Sequence, residues 1–339
     1  MTVKTATINP QILLVTGGCG FIGSHFVLRQ ISAGKVVINL DKLTYAANLA
    51  NVASVANHPN YHFVQGDIND SQLVQQILNQ YRVEAVVNFA AESHVDNSIA
   101  RPEEFIITNI NGTYQMLMAS LKYYQNLDLA MKENFRFLHI STDEVFGSLN
   151  IGEPAFTKNH RYQPNSPYSA SKASSDHLVR AWQETFKLPT IITNCSNNYG
   201  ANQHQEKLIP KIIEACRHNL PIPIYGNGGN IRDWIFVEDH CHGIELALAK
   251  GEIGGTYLFG GENELTNLEV ANIICDIFNQ LQPLANGKSH KEKITFVADR
   301  QGHDLRYAID NRLAYAELGF LPSRSFADNL QAMIKAILG

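Results

Sequence analysis

Along the first two thirds of the chain, short apolar runs alternate with longer stretches in which apolar residues recur at helical spacing. That alternation predicts strand followed by helix, several times over. The apolar runs cover Ile12–Thr16, 35–40, Tyr61–Gln65, 84–89, 135–140 and 189–193. The helical stretches cover 20–33, the segment after Asp67 through Gln80, 105–124 and 166–186. Strands this short and uniformly apolar suit a sheet buried on both faces, so the expected fold class is α/β, a doubly wound parallel sheet. In such sheets the ligand lies beyond the carboxyl ends of the strands. The polar clusters fall there: Gly17-Gly18 after the first run, Asp41 after the second, then Gly66-Asp67, Ala90-Ala91-Glu92 and Ser141-Thr142-Asp143-Glu144.

Beyond about residue 194 the alternation loosens, and Gly, Pro and Asn become frequent in 197–202 and 221–230. The expected organisation is a binding domain over 1–194 and a smaller, loop-rich substrate lobe mainly over 195–339. Two later runs, 231–237 and 255–259, look like strands that return to the main sheet.

Composition narrows the class. The 45% hydrophobic and 17% charged content is ordinary for a soluble globular enzyme. A net charge of −5 argues against a nucleic-acid partner. No apolar run approaches the ~20 residues that span a bilayer, so no membrane association is expected. The short polar N-terminus lacks the order of a signal peptide, and the five cysteines are scattered without a C-x-x-C. Both features predict a cytoplasmic protein with reduced thiols.

Gly17, Gly20 and Gly23 are spaced G-x-x-G-x-x-G between the first strand and the first helix. Glycines there allow a tight turn and close approach of backbone to a pyrophosphate, which the helix N-terminus attracts. This predicts a Rossmann-type dinucleotide site. Asp41, ending the second strand, is placed to accept from ribose hydroxyls and to repel a 2′-phosphate, which favours NAD over NADP. Lys42 beside it weighs the other way. Asp67-Ile68 could meet the adenine, or Asp67 could cap the following helix.

Tyr168 and Lys172 lie one turn apart on a predicted helix, the sole Tyr-x-x-x-Lys of the chain. A nearby ammonium is expected to lower the phenol pKa towards working pH and make Tyr168 a general base. Glycine spacing, Ser141-Thr142 at the fifth strand end and Tyr-x-x-x-Lys occur together in an order that resembles the extended short-chain dehydrogenase/reductase family. The resemblance covers nearly the whole chain. Within that family, 141–147 (STDEVFG) resembles the active-site signature of dTDP-glucose 4,6-dehydratases. So do 88–95 (NFAAESHV), 41–48 (DKLTYAAN), 166–176 (SPYSASKASSD), 194–200 (NCSNNYG), 206–210 (EKLIP), 231–240 (IRDWIFVEDH) and 299–310 (DRQGHDLRYAID).

The resemblance implies a lyase with tightly bound NAD acting on a nucleoside-diphospho-glucose. Tyr168 would take the 4-hydroxyl proton as hydride leaves C4. Glu144 would remove the C5 hydrogen, a protonated Asp143 would donate to the departing 6-hydroxyl, and hydride would return to C6. Two acids in one enclosed site tend to split in pKa, as that division of roles needs. Thr142 would orient the sugar. Implied cofactor contacts are Gly17, Gly20, Phe21, Ile22, Gly23, Asp41, Lys42, Thr44, Asp67, Ile68, Phe89, Ala90, Ala91, Thr108, Tyr168, Lys172 and Asn198. Implied substrate contacts are Ser93, Thr142, Asn197, Lys207, Leu208, Pro223, Tyr225, Arg232, Asn267, Arg300 and His303. The cations among them suit a diphosphate.

The chain departs from the family at Asn97 (commonly Arg), at 201–205 (commonly Pro-aromatic-x-Pro) and at Phe146 (usually Tyr). These changes bear on which sugar nucleotide is preferred. Cys195 reads as a wall of the cofactor site. His240-Cys241-His242 gives no metal site, because i and i+2 on a helix point apart. The competing readings are a 4-epimerase of the same superfamily, which has no use for the acids at 143 and 144, and a catalytically silent NAD-binding protein. Two long helices, 101–121 and 169–182, carry apolar faces, and the resemblance implies that they pair in a homodimer.

Overall fold

A computed structural model describes residues 7–299, 301–323 and 325–339. Seven parallel strands form the main sheet: β1 (Ile12–Thr16), β2 (Val36–Asp41), β3 (Tyr61–Gln65), β4 (Ala85–Asn88), β5 (Arg136–Thr142), β6 (Thr190–Cys195) and, further along the chain, β10 (Thr256–Phe259). Their order is β10-β6-β5-β4-β1-β2-β3, a doubly wound Rossmann-type topology that reverses direction between β1 and β4. Alternate residues of one strand reach opposite layers. Leu13 and Val15 pack with Phe26, Val27 and Ile244, whereas Leu14 packs with Val74, Leu78 and Met116.

Of the two later runs, only Thr256–Phe259 joins this sheet, beside β6. The other, β9 (Ile231–Phe236), does not return to it. It pairs parallel with β7 (Asn197–Tyr199) and antiparallel with β11 (Glu264–Thr266), making a separate three-stranded sheet. Because β7 begins two residues after β6 ends, the small sheet grows directly from the site end of the large one. The remaining pair is β8 (Ile222–Tyr225) with β12 (Ile294–Val297). Beneath these strands, Ile209, Ile212, Val270, Ile274, Leu330 and Ile334 from three helices form the core of the second lobe.

Three local devices aim the site. Gly17 has φ +69°, and a Cβ there would lie 2.9 Å from the Ala90 nitrogen; a Cβ on Gly23 would lie 2.3 Å from the Gly17 carbonyl. Both glycines are therefore required by the turn that opens the helix Phe21–Ser32. Ser166 and Ser169 cap the helix Pro167–Phe186 reciprocally, with Pro167 in its first position, which sets Tyr168 in the first turn. The stretch expected as one helix over 105–124 is α-helical to Phe105, π-helical over Ile106–Gly112 and α-helical again over Thr113–Gln125. Wide turns of this kind cluster at functional sites.

Candidate active site

Beyond the carboxyl ends of β1, β2, β4, β5 and β6 lies a cavity of about 300 Å³. All seventeen residues expected around the dinucleotide line it, from Gly17, Gly20 and Gly23 through Asp41, Asp67 and Thr108 to Tyr168, Lys172 and Asn198. Thr142, Glu144, Ser93, Asn197 and Lys207 share the same walls. The Asp41 carboxylate, 6% exposed, accepts from the backbone N–H of Cys19 and of Leu43, each at 2.8 Å. Lys42 is ion-paired with Asp67 at 2.8 Å. Asp67 does not cap the following helix. Asp70 does, accepting from Gln72 and Leu73.

At its carboxyl end β5 delivers Thr142 and then turns, so that Asp143 and Glu144 open a one-turn 3₁₀ segment. Thr142 Oγ1 donates to Asp143 Oδ1 at 3.3 Å and accepts from the Glu144 N–H at 3.3 Å. Asp143 is 1% exposed, and its Oδ2 has no hydrogen-bond partner. Burial, then Glu144 and Asp233, push its carboxyl well above the usual range, against a smaller opposing pull from Arg232. Asp143 is thereby held neutral while its half-buried neighbour Glu144 faces the cavity.

The expectation of a lowered phenol pKa at Tyr168 is not met in the protein by itself. Burial raises the Tyr168 pKa well above 10, with Glu144, Cys195 and Asp143 adding to the rise and hydrogen bonding with Thr142 opposing it. Lys172, whose ammonium donates to the Ile140 carbonyl at 2.7 Å, does not outweigh this rise. Burial brings the Lys172 pKa down to about 8. Cys195 lines the cavity with its thiol pushed up to about 12 by burial, which makes it a wall and not a nucleophile.

Comparisons with known proteins place the chain. The family model described as GDP-mannose 4,6 dehydratase matches residues 14–333. The chain belongs to that family. A dTDP-glucose 4,6-dehydratase of Haemophilus influenzae is 50% identical over 326 residues, 95% of this chain and 96% of that one. DesIV, a dTDP-glucose 4,6-dehydratase of Streptomyces venezuelae solved with NAD and TDP bound, superposes with a TM-score of 0.86 at 44% identity, covering 96% of each chain. A UDP-glucose 4-epimerase of Thermus thermophilus solved with NAD gives a TM-score of 0.84 at 25% identity, covering 97% of this chain and 99% of that one.

Of the other residues expected at the substrate half, Leu208, Pro223, Tyr225, Arg232, Asn267 and His303 do not line this cavity. Arg232 is 5% exposed, donates to the carbonyls of Ile231 (2.8 Å) and Asp304 (3.0 Å), and stacks 4.2 Å over Tyr307. Tyr225 and Pro223 lie on exposed positions of β8; the Tyr225 ring is 6.3 Å from His303, which is held by Asp299 at 2.6 Å. Asn267 and Leu208 begin the helices Asn267–Leu281 and Leu208–Arg217. Arg300 lies outside the described residues. Lys207 Nζ donates to the Ser93 carbonyl at 2.9 Å, which ties the second lobe to the first across the cavity mouth.

The departures from the family pattern also have places. Asn97 donates to the Tyr45 hydroxyl at 3.2 Å, and the same ring meets His204 edge-on at 5.6 Å. Two of the three departures therefore meet at Tyr45, at the mouth. Phe146, the third, is buried between Phe156 and Tyr162. His240 and Cys241 point apart, towards Asn198 and the Ile22 carbonyl. One residue escaped the sequence reading. Asn109, in the π-helical turn, holds both backbone polar groups of Glu92 (2.8 and 2.9 Å) and donates to Ser171 Oγ at 2.8 Å. In the sequence, only an Asn three residues before Gly112 within a stretch expected to be helical pointed to it.

Proposed function

We propose that this protein is an NAD-dependent lyase that converts a nucleoside-diphospho-glucose, dTDP-glucose first, to its 4-keto-6-deoxy product. The observation that carries this is the pair Asp143 and Glu144, one buried acid held neutral and one facing the cavity, beside Tyr168. A simple redox step or a 4-epimerisation has no work for them. The dTDP-glucose dehydratases at about half identity support the same reading.

The cavity fits a dinucleotide. Gly17 and Gly23 leave a cradle that a Cβ would fill, and Asp41 is fixed at the strand end where ribose hydroxyls are met. With Lys42 neutralised by Asp67, the anionic corner favours NAD over its 2′-phosphorylated form. Held by the residues that line the cavity, NAD⁺ would supply the hydride acceptor for C4 and the hydride returned to C6. Tyr168 takes the 4-hydroxyl proton, helped by the Lys172 ammonium on its own helix face. Glu144 removes the C5 proton, made acidic by the new ketone, and Asp143 gives its proton to the departing 6-hydroxyl. Thr142 orients the sugar. Residues 1–194 take the cofactor and 195–339 mainly take the nucleotide, with Lys207, Arg232, Arg300 and His303 around the diphosphate and Asn197, Tyr225 and Asn267 beside them.

Among the described residues no helix is long and apolar enough to cross a membrane. The five scattered cysteines, without a C-x-x-C, suit the reducing cytoplasm, where we expect the enzyme. Incubation with dTDP-glucose, followed by mass, tests the reading. Loss of one water is expected; an unchanged mass with altered configuration would mean an epimerase, and no turnover of any sugar nucleotide would overturn both.

A further inference from the structure

Tyr168, Lys172 and Asp176 are successive residues of one stripe, one turn apart on the helix Pro167–Phe186. Asp176 is 1% exposed, and a carboxylate so deep stays ionised only where the fold supplies donors. Three converge on its Oδ2: Ser141 Oγ at 2.8 Å, Tyr162 OH at 3.0 Å and Asn194 Nδ2 at 3.3 Å. The other oxygen, Oδ1, is buried without a hydrogen-bond partner. It faces His139 Nε2 at 3.6 Å, and that same nitrogen lies 3.4 Å from Lys172 Nζ.

The other ionisable groups facing Lys172 are neutral. His139, from β5, has Nδ1 at 3.2 Å from the Asn88 amide nitrogen, whose partner oxygen is engaged by Thr16 at 2.6 Å. Nδ1 is therefore an acceptor, and burial together with the nearby ammonium keeps this imidazole uncharged. Cys195, from β6, is an un-ionised thiol, and Tyr168, on the same helix, an un-ionised phenol. Facing Asp176 are His139, Lys172 and Tyr162, whose phenol is also held above its ordinary range by burial. Burial raises the Asp176 pKa to about 6, against Lys172 and the three donors, and lowers that of Lys172 to about 8, against Asp176. Between those limits both are charged.

We propose that Asp176 is a positioning residue for the reaction: the anion that keeps the Lys172 ammonium charged in an apolar interior. This rests on the reading of Tyr168 and Lys172 as the pair that starts the chemistry. Lys172 lines the cavity, so its state can be read directly by trace acetylation across pH with peptide mass spectrometry, and separately through the alkaline limb of kcat/KM. Asp176→Asn is expected to move both midpoints down by about one pH unit or more. Turnover lost at about pH 8 then returns towards pH 6. Asp176→Glu, which keeps the charge, is expected to keep the wild-type midpoints even if turnover falls.

Equal loss at every pH, with unmoved midpoints, would mean that Asp176 only packs the helix and would overturn the proposal. Should Asp176→Asn not fold, Ser141→Ala with Tyr162→Phe strips two donors and is expected to move both midpoints the same way by less; no movement there overturns it equally. A wild-type protein inactive on every sugar nucleotide would remove the functional reading, while the acetylation midpoint would still test the role of Asp176.

Discussion

Two adjacent carboxyl groups separate here because their surroundings differ, not their chemistry. Asp143 is enclosed and lacks a donor on Oδ2, so its proton is the cheapest solution the fold offers; Glu144 borders the cavity. Glu144→Gln is expected to cut dehydration by about 10² or more while C4 oxidation persists, read as reduced-nicotinamide absorbance without water loss in the product. Retained dehydration would assign the C5 proton to another group. Asp143→Asn tests the buried acid through stability. Its folded pKa lies above the ordinary 3.8, so its contribution is complete below that value and is lost as pH rises towards the folded pKa. The variant is thus expected to melt above wild type at about pH 8, with the gain vanishing near pH 4, and to lose dehydration. A pH-independent difference in melting would mean that Asp143 is ionised in the fold.

At the level of elements, the site depends on a turn and on an irregular helix. A Cβ at Gly23 would sit 2.3 Å from the Gly17 carbonyl, backbone that cannot give way without opening the turn. Gly23→Ala is expected to purify with little bound dinucleotide, measured by nucleotide release on denaturation; full occupancy would show that the turn tolerates a methyl group. Asn109 is the corresponding device in the π-helical turn. It satisfies Glu92 and reaches Ser171 on the Tyr168/Lys172 helix, so it fixes the strand end relative to the catalytic helix. Asn109→Ala takes the partner from two part-buried backbone groups of Glu92 and is expected to destabilise by about 1 kcal/mol in denaturant unfolding.

For the whole molecule, one group of exposed apolar residues lies on the helical stretches Val95–Ala100, Ile106–Gly112, Thr113–Gln125 and Pro167–Phe186. Ile99, Ile106, Ile107, Tyr114, Met118 and Phe186 are all exposed. Isolated apolar residues are unremarkable, but six from neighbouring helices favour a shared face, and we expect a homodimer there. Met118→Arg is expected to shift the sedimenting species from dimer to monomer; a wild-type monomer would end the idea. Much of this was legible in the chain itself. Strand positions, the glycine turn, Asp41 and the Tyr168/Lys172 pair follow from local rules, since apolar periodicity and turn sterics act over a few residues. Sequence reading fails where the outcome depends on partners distant in the chain. Residues 231–236 read as a strand that could return to the main sheet, yet they pair with β7 and β11, because strand pairing is chosen by topology and not by composition. The state of Tyr168 is another case: its neighbour at i+4 predicts a lowered phenol pKa, whereas burial, and after it Glu144 brought up behind β5, raise it. The chain's own pattern determined which residues would meet at the strand ends. Only the tertiary structure decided which of them are buried, charged or neutral, because desolvation and through-space charge exist only once the parts are packed together.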